Sequence, residues 1–147
     1  MNRKGLYIAF EGVVACGKTT QSKLLQKNLQ NRFPNKQNIW TREPGGSEIS
    51  DAIREVVQAT PFVEEMDPVC EAYLYAASRA QTLRNVVFPT LTQNGIVIAD
   101  RSFVTSLAFQ GFARGLGIEV VLGINEIAIE GFIPDLVFYI NLDPQFA

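Results

Sequence analysis

Four short runs, residues 6–10, 38–41, 95–99 and 136–142, are apolar enough to read as strands, the second being the least apolar of them. They do not alternate with polar residues. A strand apolar throughout is buried on both faces, the mark of a parallel sheet covered by helices. The segments between them repeat at helical spacing. Leu25, Leu29 and Phe33 follow the first run, and Ile49, Ile53, Val56 and Val57 follow a capping Ser47. Asp67 and Pro68 open a helix reaching about residue 87, since a capping carboxylate followed by proline suits a first turn. Val120, Ile124, Ile127 and Gly131 share one side of a last helix. Strands alternating with helices predict an α/β fold, a three-layer α/β/α sandwich with a parallel sheet, in one domain over residues 1–147.

Composition narrows the setting. With 147 residues, 47% of them hydrophobic, the chain has material for one real core. A formal net charge of −2 and scattered Lys and Arg argue against a nucleic-acid or membrane-surface protein, both of which demand a basic field. The first apolar run ends at Glu11, too short for a signal peptide or a membrane span. Two cysteines, Cys16 and Cys70, build no disulfide framework, and a cytoplasmic location is expected. There is no histidine, which removes histidine bases, triads and most zinc sites. Residues 44–46, PGG, and 111–117, GFARGLG, read as mobile loops.

Chemistry first shows in EGVVACGKTT, residues 11–20. GxxxxGKT lies between an apolar strand and a helix, so its glycines sit at a strand-to-helix turn whose backbone N–H groups suit a polyphosphate. Residues Gly12, Val13, Val14, Ala15, Cys16, Gly17, Lys18, Thr19 and Thr20 form the expected nucleotide cradle. Lys18 reaches the β and γ phosphates and Thr19 ligates Mg²⁺.

Further polar residues fall at the predicted strand ends, where ligands of open parallel sheets gather. Asp100 and Arg101 follow the third strand, either as a structural ion pair or as a metal-side carboxylate with a phosphate-binding guanidinium. Arg42 follows the second, either solvated or, with Arg101, holding a second anion opposite the first. Tyr75 and Arg79 are four apart on one helical face. They serve either core and surface or a stacked base and its edge. Thr105, Ser106 and Phe109 begin the next helix.

Taken together, EGxxxxGKTTQ, REPGG, ASRAQ and DRSxxxSLAFQG resemble bacterial thymidylate kinases, P-loop nucleoside monophosphate kinases, and the resemblance continues through PDLVFYINLDP. It implies phosphoryl transfer from ATP·Mg²⁺ to dTMP, giving dTDP, in a homodimer. By matching position, Lys18, Asp100 and Arg101 are the catalytic group, Thr19 and Asp100 the metal side, and Arg42 and Arg101 the clamp on the dTMP phosphate. Tyr75 stacks on thymine, Arg79 reaches a thymine carbonyl, Ser106 lies near the base, and Phe109 lies beneath the sugar. Gln110 belongs to the same substrate string without an assigned role.

Two departures accompany the resemblance. The family carries an acidic residue where this chain has Val14, and a lost charged hydrogen bond to the acceptor's sugar costs about 1.5–3 kcal/mol. The family also has an arginine-rich LID and further elements after the strand at 136–142, whereas this sequence ends at residue 147 and has no arginine at 13–16. A C-terminally truncated product is expected, with one sheet edge exposed. Two further possibilities are that Arg114 moves in from its loop and that activity is low. The alternatives in function are a catalytically impaired nucleotide-binding protein or a kinase for another pyrimidine deoxynucleoside monophosphate. A switch GTPase is remote, since no NKxD element is present.

Overall fold

A computed structural model describes residues 4–58 and 63–146. They form two compact units, each assembled from separated stretches of chain. The first comprises residues 1–42, 87–102 and 133–147, and holds the sheet. Its strands are β1 (Leu6–Gly12), β2 (Asn38–Arg42), β3 (Ile96–Asp100) and β4 (Leu136–Ile140), all parallel in the order β2-β3-β1-β4.

Each predicted run became a strand, with β1 and β2 extended by one or two residues and β4 shortened. The centre of the sheet explains why these runs are apolar on both sides. Ile8, Phe10, Ile96 and Ile98 face one way into a cluster with Leu25 and Leu29 of α1 (Lys18–Arg32), Trp40 and Ile140. Tyr7, Ala9, Val97 and Ala99 face the other way and are equally buried. Asp135 fixes where β4 joins. Its carboxylate accepts the Tyr7 N–H at 2.8 Å while its own N–H donates to the Tyr7 carbonyl at the same distance. As an edge strand β4 has β1 as its neighbour among the described residues, and Leu136, Val137, Phe138 and Tyr139 stay between 41% and 64% exposed. Its apolar pattern therefore does not mean cover on both faces.

The second unit comprises residues 43–86 and 103–132 and is helical. It contains α2 (Glu48–Gln58), α3 (Pro68–Thr82), the short α5 (Phe103–Ser106) and α6 (Ile118–Ile129). Asp67 caps α3 as expected, accepting the Val69 and Cys70 N–H groups at 2.8 and 3.3 Å. The chain continues past Thr82 through a π-helical turn, Leu83–Val87, into α4 (Phe88–Thr92) of the sheet unit. Pro89 has no N–H to close an ordinary α turn, and the wider turn precedes it. A second π segment, Leu107–Ala113, prolongs α5.

Three expectations change on the helical unit. On α2, Ile49 and Val56 are 57% and 43% exposed while Ser50 is buried. Its hydroxyl donates to the Ser78 carbonyl at 2.9 Å and accepts from Thr82, so the helix docks through hydroxyls. On α6, Val120 and Ile127 point outward, and Val121, Asn125, Ala128 and Ile129 point in. The polar Asn125 takes the inner side because its Oδ1 accepts there from the buried Arg79. The PGG segment is also anchored. Pro44 and Gly45 are buried, the Gly45 N–H donates to Ser78 Oγ at 3.1 Å, and its carbonyl accepts from Thr82 at 2.7 Å. The second glycine loop begins in the π segment. It closes on itself through Leu116 and Gly117 N–H groups donating to Gln110 and Gly111 carbonyls.

Candidate functional site

In the sheet unit, the turn after β1 has the backbone its sequence implies. Gly12 and Gly17 have φ of 144° and 92°, and Ala15 adopts 61°, a left-handed conformation costing a residue with a Cβ about 1–3 kcal/mol. A Cβ on Gly12 would stand 2.7 Å from the Ile140 carbonyl oxygen, so β4 can lie this close only against glycine. Gly17 opens α1 without a side-chain cap, and the first turn carries no acidic residue. The amides and the positive end of the dipole are thus left for an external anion.

Lys18 is 6% exposed and curls back over the turn, its ammonium donating to the Val13 carbonyl at 2.6 Å and to Cys16 Sγ at 3.6 Å. The Thr19 hydroxyl donates to Asp100 Oδ2 from the end of β3. Asp100 is paired in register with Phe10 on one side and Arg42 on the other. Lys18, Thr19, Asp100, Arg101 and Arg42 therefore share the carboxyl rim of the sheet. Val14 is 66% exposed on the turn.

Arg101 is in a strained conformation, φ 75°, and three consecutive residues of β1 bond to it and to Ser102 after it. The Phe10 carbonyl accepts its N–H at 2.9 Å, and the Gly12 carbonyl accepts its guanidinium at 3.3 Å. The buried Glu11 carboxylate accepts both the N–H and the hydroxyl of Ser102, at 2.8 and 2.7 Å. Sequence reading gave Glu11 no part, yet an acid directly after an apolar strand was the available signal. Glu11→Ala is expected to lower the unfolding free energy by about 1–3 kcal/mol, because two buried donors of Ser102 lose their acceptor. Urea denaturation measures this, and a loss below about 0.5 kcal/mol would show that the pair does not hold the turn.

In the helical unit, Arg79 is neither on the surface nor alone. It is 2% exposed, with Nε donating to Glu43 at 2.6 Å, Nη2 to Ser106 Oγ at 3.1 Å, and Nη1 to Asn125 Oδ1. Asn125 in turn donates to the Val121 carbonyl at 2.8 Å. Glu43 and Asn125 escaped sequence reading, although an asparagine within the apolar α6 was a visible anomaly. One turn earlier on α3 stands the half-buried Tyr75, and one turn before that Glu71. Glu71 accepts Gln110 Nε2 at 2.6 Å and, on its other oxygen, Nε and Nη2 of Arg114 at 3.1 and 2.6 Å. This hydrogen bond and the charge of Glu71 raise the pKa of Arg114 above its ordinary value. Arg114 is thus engaged within its own unit. Phe109 is 46% exposed and Ser106 is buried.

Oxygen donors suited to a hard cation are present at the rim in Thr19 and Asp100. Among the described residues, no group of three or more His, Cys, Asp or Glu exists to cage a metal by protein ligands alone. The donor set fits an ion that brings phosphate and water ligands with it. No helix among the described residues is long and apolar enough to cross a membrane.

Residues 10–147 match the sequence model of the thymidylate kinases. A thymidylate kinase of Clostridium novyi is 46% identical over 142 residues, covering 97% of this chain and 68% of that protein. One from Caldanaerobacter subterraneus is 41% identical over 144 residues, covering 98% and 67%. The crystal structure of the Ehrlichia chaffeensis thymidylate kinase superposes with a TM-score of 0.87 at 31% identity, covering 97% of this chain and 79% of that one. By its match to the family's sequence model over residues 10–147 and its likeness to these relatives, the chain belongs to the thymidylate kinase family.

Proposed function

We propose that this chain transfers the γ-phosphoryl group of ATP to dTMP, giving dTDP and ADP. The observation that carries the reading is the sheet rim, where Lys18, Thr19 and Asp100 join an uncapped helix N-terminus. In the transfer, the bond between the γ-phosphorus and its bridging oxygen breaks as an oxygen of the dTMP phosphate bonds to that phosphorus. Lys18 and the amides of residues 12–20 hold the donor phosphates and meet the charge that moves onto them. Mg²⁺, when bound, neutralises phosphate oxygens, and Thr19 with Asp100 would hold it. Arg42 and Arg101 orient the acceptor phosphate, and the backbone clamp on Arg101 fixes its direction before substrate arrives.

The base is assigned to the helical unit, with Tyr75 offering a face for stacking, Arg79 and Ser106 offering donors, and Phe109 contacting the sugar. Gln110 is the remaining polar group of that string. Exposed Tyr73, Val120 and Ile127 support a homodimer packed through helices, and free Cys16 and Cys70 support a reducing cytosol.

Thermal unfolding with added nucleotide tests the acceptor. Saturating dTMP at about 100 times its Kd is expected to stabilise the fold by about 2.7 kcal/mol, with dCMP, dGMP and AMP at the same concentration doing far less. Equal shifts from all four would remove the assignment of dTMP.

A further inference from the structure

Trp40, the only tryptophan of the chain, lies in the seam between β2 and α1. Its indole N–H donates to Ser22 Oγ at 2.9 Å, and the Ser22 hydroxyl donates to the Thr19 carbonyl at 3.1 Å. Ser22 is fully enclosed, at 0% exposure. An indole N–H can only donate, so the Ser22 oxygen accepts from it and turns its one proton toward Thr19. A serine bonding back three residues along its own helix is ordinary. The indole adds a link from that bond to a separate strand.

Thr19 is thereby held at two atoms. Ser22 bonds its carbonyl, and its hydroxyl gives its one proton to Asp100 at the end of β3, which leaves the lone pairs of that oxygen available to a cation. Because α1 opens without a side-chain cap, no capping residue holds this first turn. The turn is tied instead to other strands, to β3 through Asp100 and to β2 through Trp40. Two more contacts strengthen the tie to β2. Lys23 Nζ stands 4.7 Å from the centroid of the Trp40 ring, and Gln26 Nε2 donates to the Asn38 carbonyl at 3.3 Å.

We propose that Ser22 and Trp40 are a positioning pair for the metal side of the phosphoryl-transfer site, holding Thr19 so that its hydroxyl oxygen is placed for the Mg²⁺ that accompanies the donor nucleotide. This rests on the assignment of Thr19 and Asp100 to the metal made above. Both residues act through Thr19 rather than on the ion. Groups that orient a metal ligand from behind commonly change metal affinity by about 10–100-fold when removed. The amides of the cradle follow the glycine backbone of residues 12–17, so the pair serves the metal-dependent part of nucleotide affinity and little of the rest.

Calorimetric titration with ADP, once in excess Mg²⁺ and once in EDTA, tests this. Ser22→Ala is expected to weaken ADP binding about tenfold in Mg²⁺ and by no more than about twofold in EDTA. Trp40→Phe keeps an aromatic ring in the cluster and removes the N–H, and it is expected to weaken binding at least about threefold in Mg²⁺ alone. The double variant should lose no more than Ser22→Ala does, because an indole without its serine has no remaining link to Thr19. Equal losses in Mg²⁺ and EDTA would make the pair a prop for the whole turn and overturn the proposal. So would Mg²⁺-dependent binding unchanged in both single variants, or a loss in the double variant equal to the product of the two. If Mg²⁺ does not tighten ADP binding to the wild type, the assignment of Thr19 and Asp100 to the metal falls, and this proposal with it.

Discussion

Lys18→Ala is expected to reduce kcat for dTDP formation by about 10²–10³, the loss found when one preorganised electrostatic donor is removed from a transition state. Lys18 is nearly buried, its stem is packed along the turn, and its ammonium is already aimed inward by Val13 and Cys16. The charge thus enters the transition state without a search through the rotamers open to an exposed lysine. Alanine removes the charge, while the conformation of the turn rests on Gly12, Ala15 and Gly17. Accordingly the melting midpoint should move by only a few degrees while turnover collapses. Single-turnover assays of ADP release at saturating ATP and dTMP separate this from weakened binding. Turnover within about threefold of wild type would remove Lys18 from the catalytic group.

The turn that carries Lys18 was legible in the sequence because its conformation is local. Strand, glycines, Lys-Thr and helix are adjacent in the chain, and backbone geometry follows from neighbours. The sheet was legible for a related reason, since β1 and β3 are buried on both sides and so carry an unbroken apolar signal. Faces of the outer helices were not legible in the same way. Ile127 is 83% exposed and Asn125 is 1% exposed, a reversal that hydrophobicity alone cannot give. The reversal follows from Arg79, 46 residues away, which makes a buried acceptor on α6 more favourable than another isoleucine. Glu71 and Glu43 were missed likewise, because an acid in a helix or loop is usually solvated and nothing local marks these two as partners of Arg114 and Arg79. Side-chain networks with long sequence separation need the fold before they can be read.

The same network gives the largest expected effect on stability. Arg79→Ala should lower the unfolding free energy by about 3–5 kcal/mol, because removing one partner of a buried ion pair leaves the other charge uncompensated. Both members are almost fully enclosed, at 2% and 5% side-chain exposure, and their separation is 2.6 Å. Ser106 and Asn125 lose their donor in the same step, and both are buried. For a chain of this size a loss of about 4 kcal/mol lowers the melting midpoint by roughly 8–16 °C. Arg79→Lys keeps the charge but offers a compact ammonium in place of a planar fork, so it should recover only part of the loss. Replacing both charges together, as Glu43→Gln with Arg79→Met, should destabilise less than the sum of the two single changes, since no buried charge is then left alone. Calorimetric unfolding of the wild type, Glu43→Gln, Arg79→Met and the double variant closes the cycle. If the double substitution merely equals that sum, the pair contributes no coupling, and Arg79 is held by packing alone.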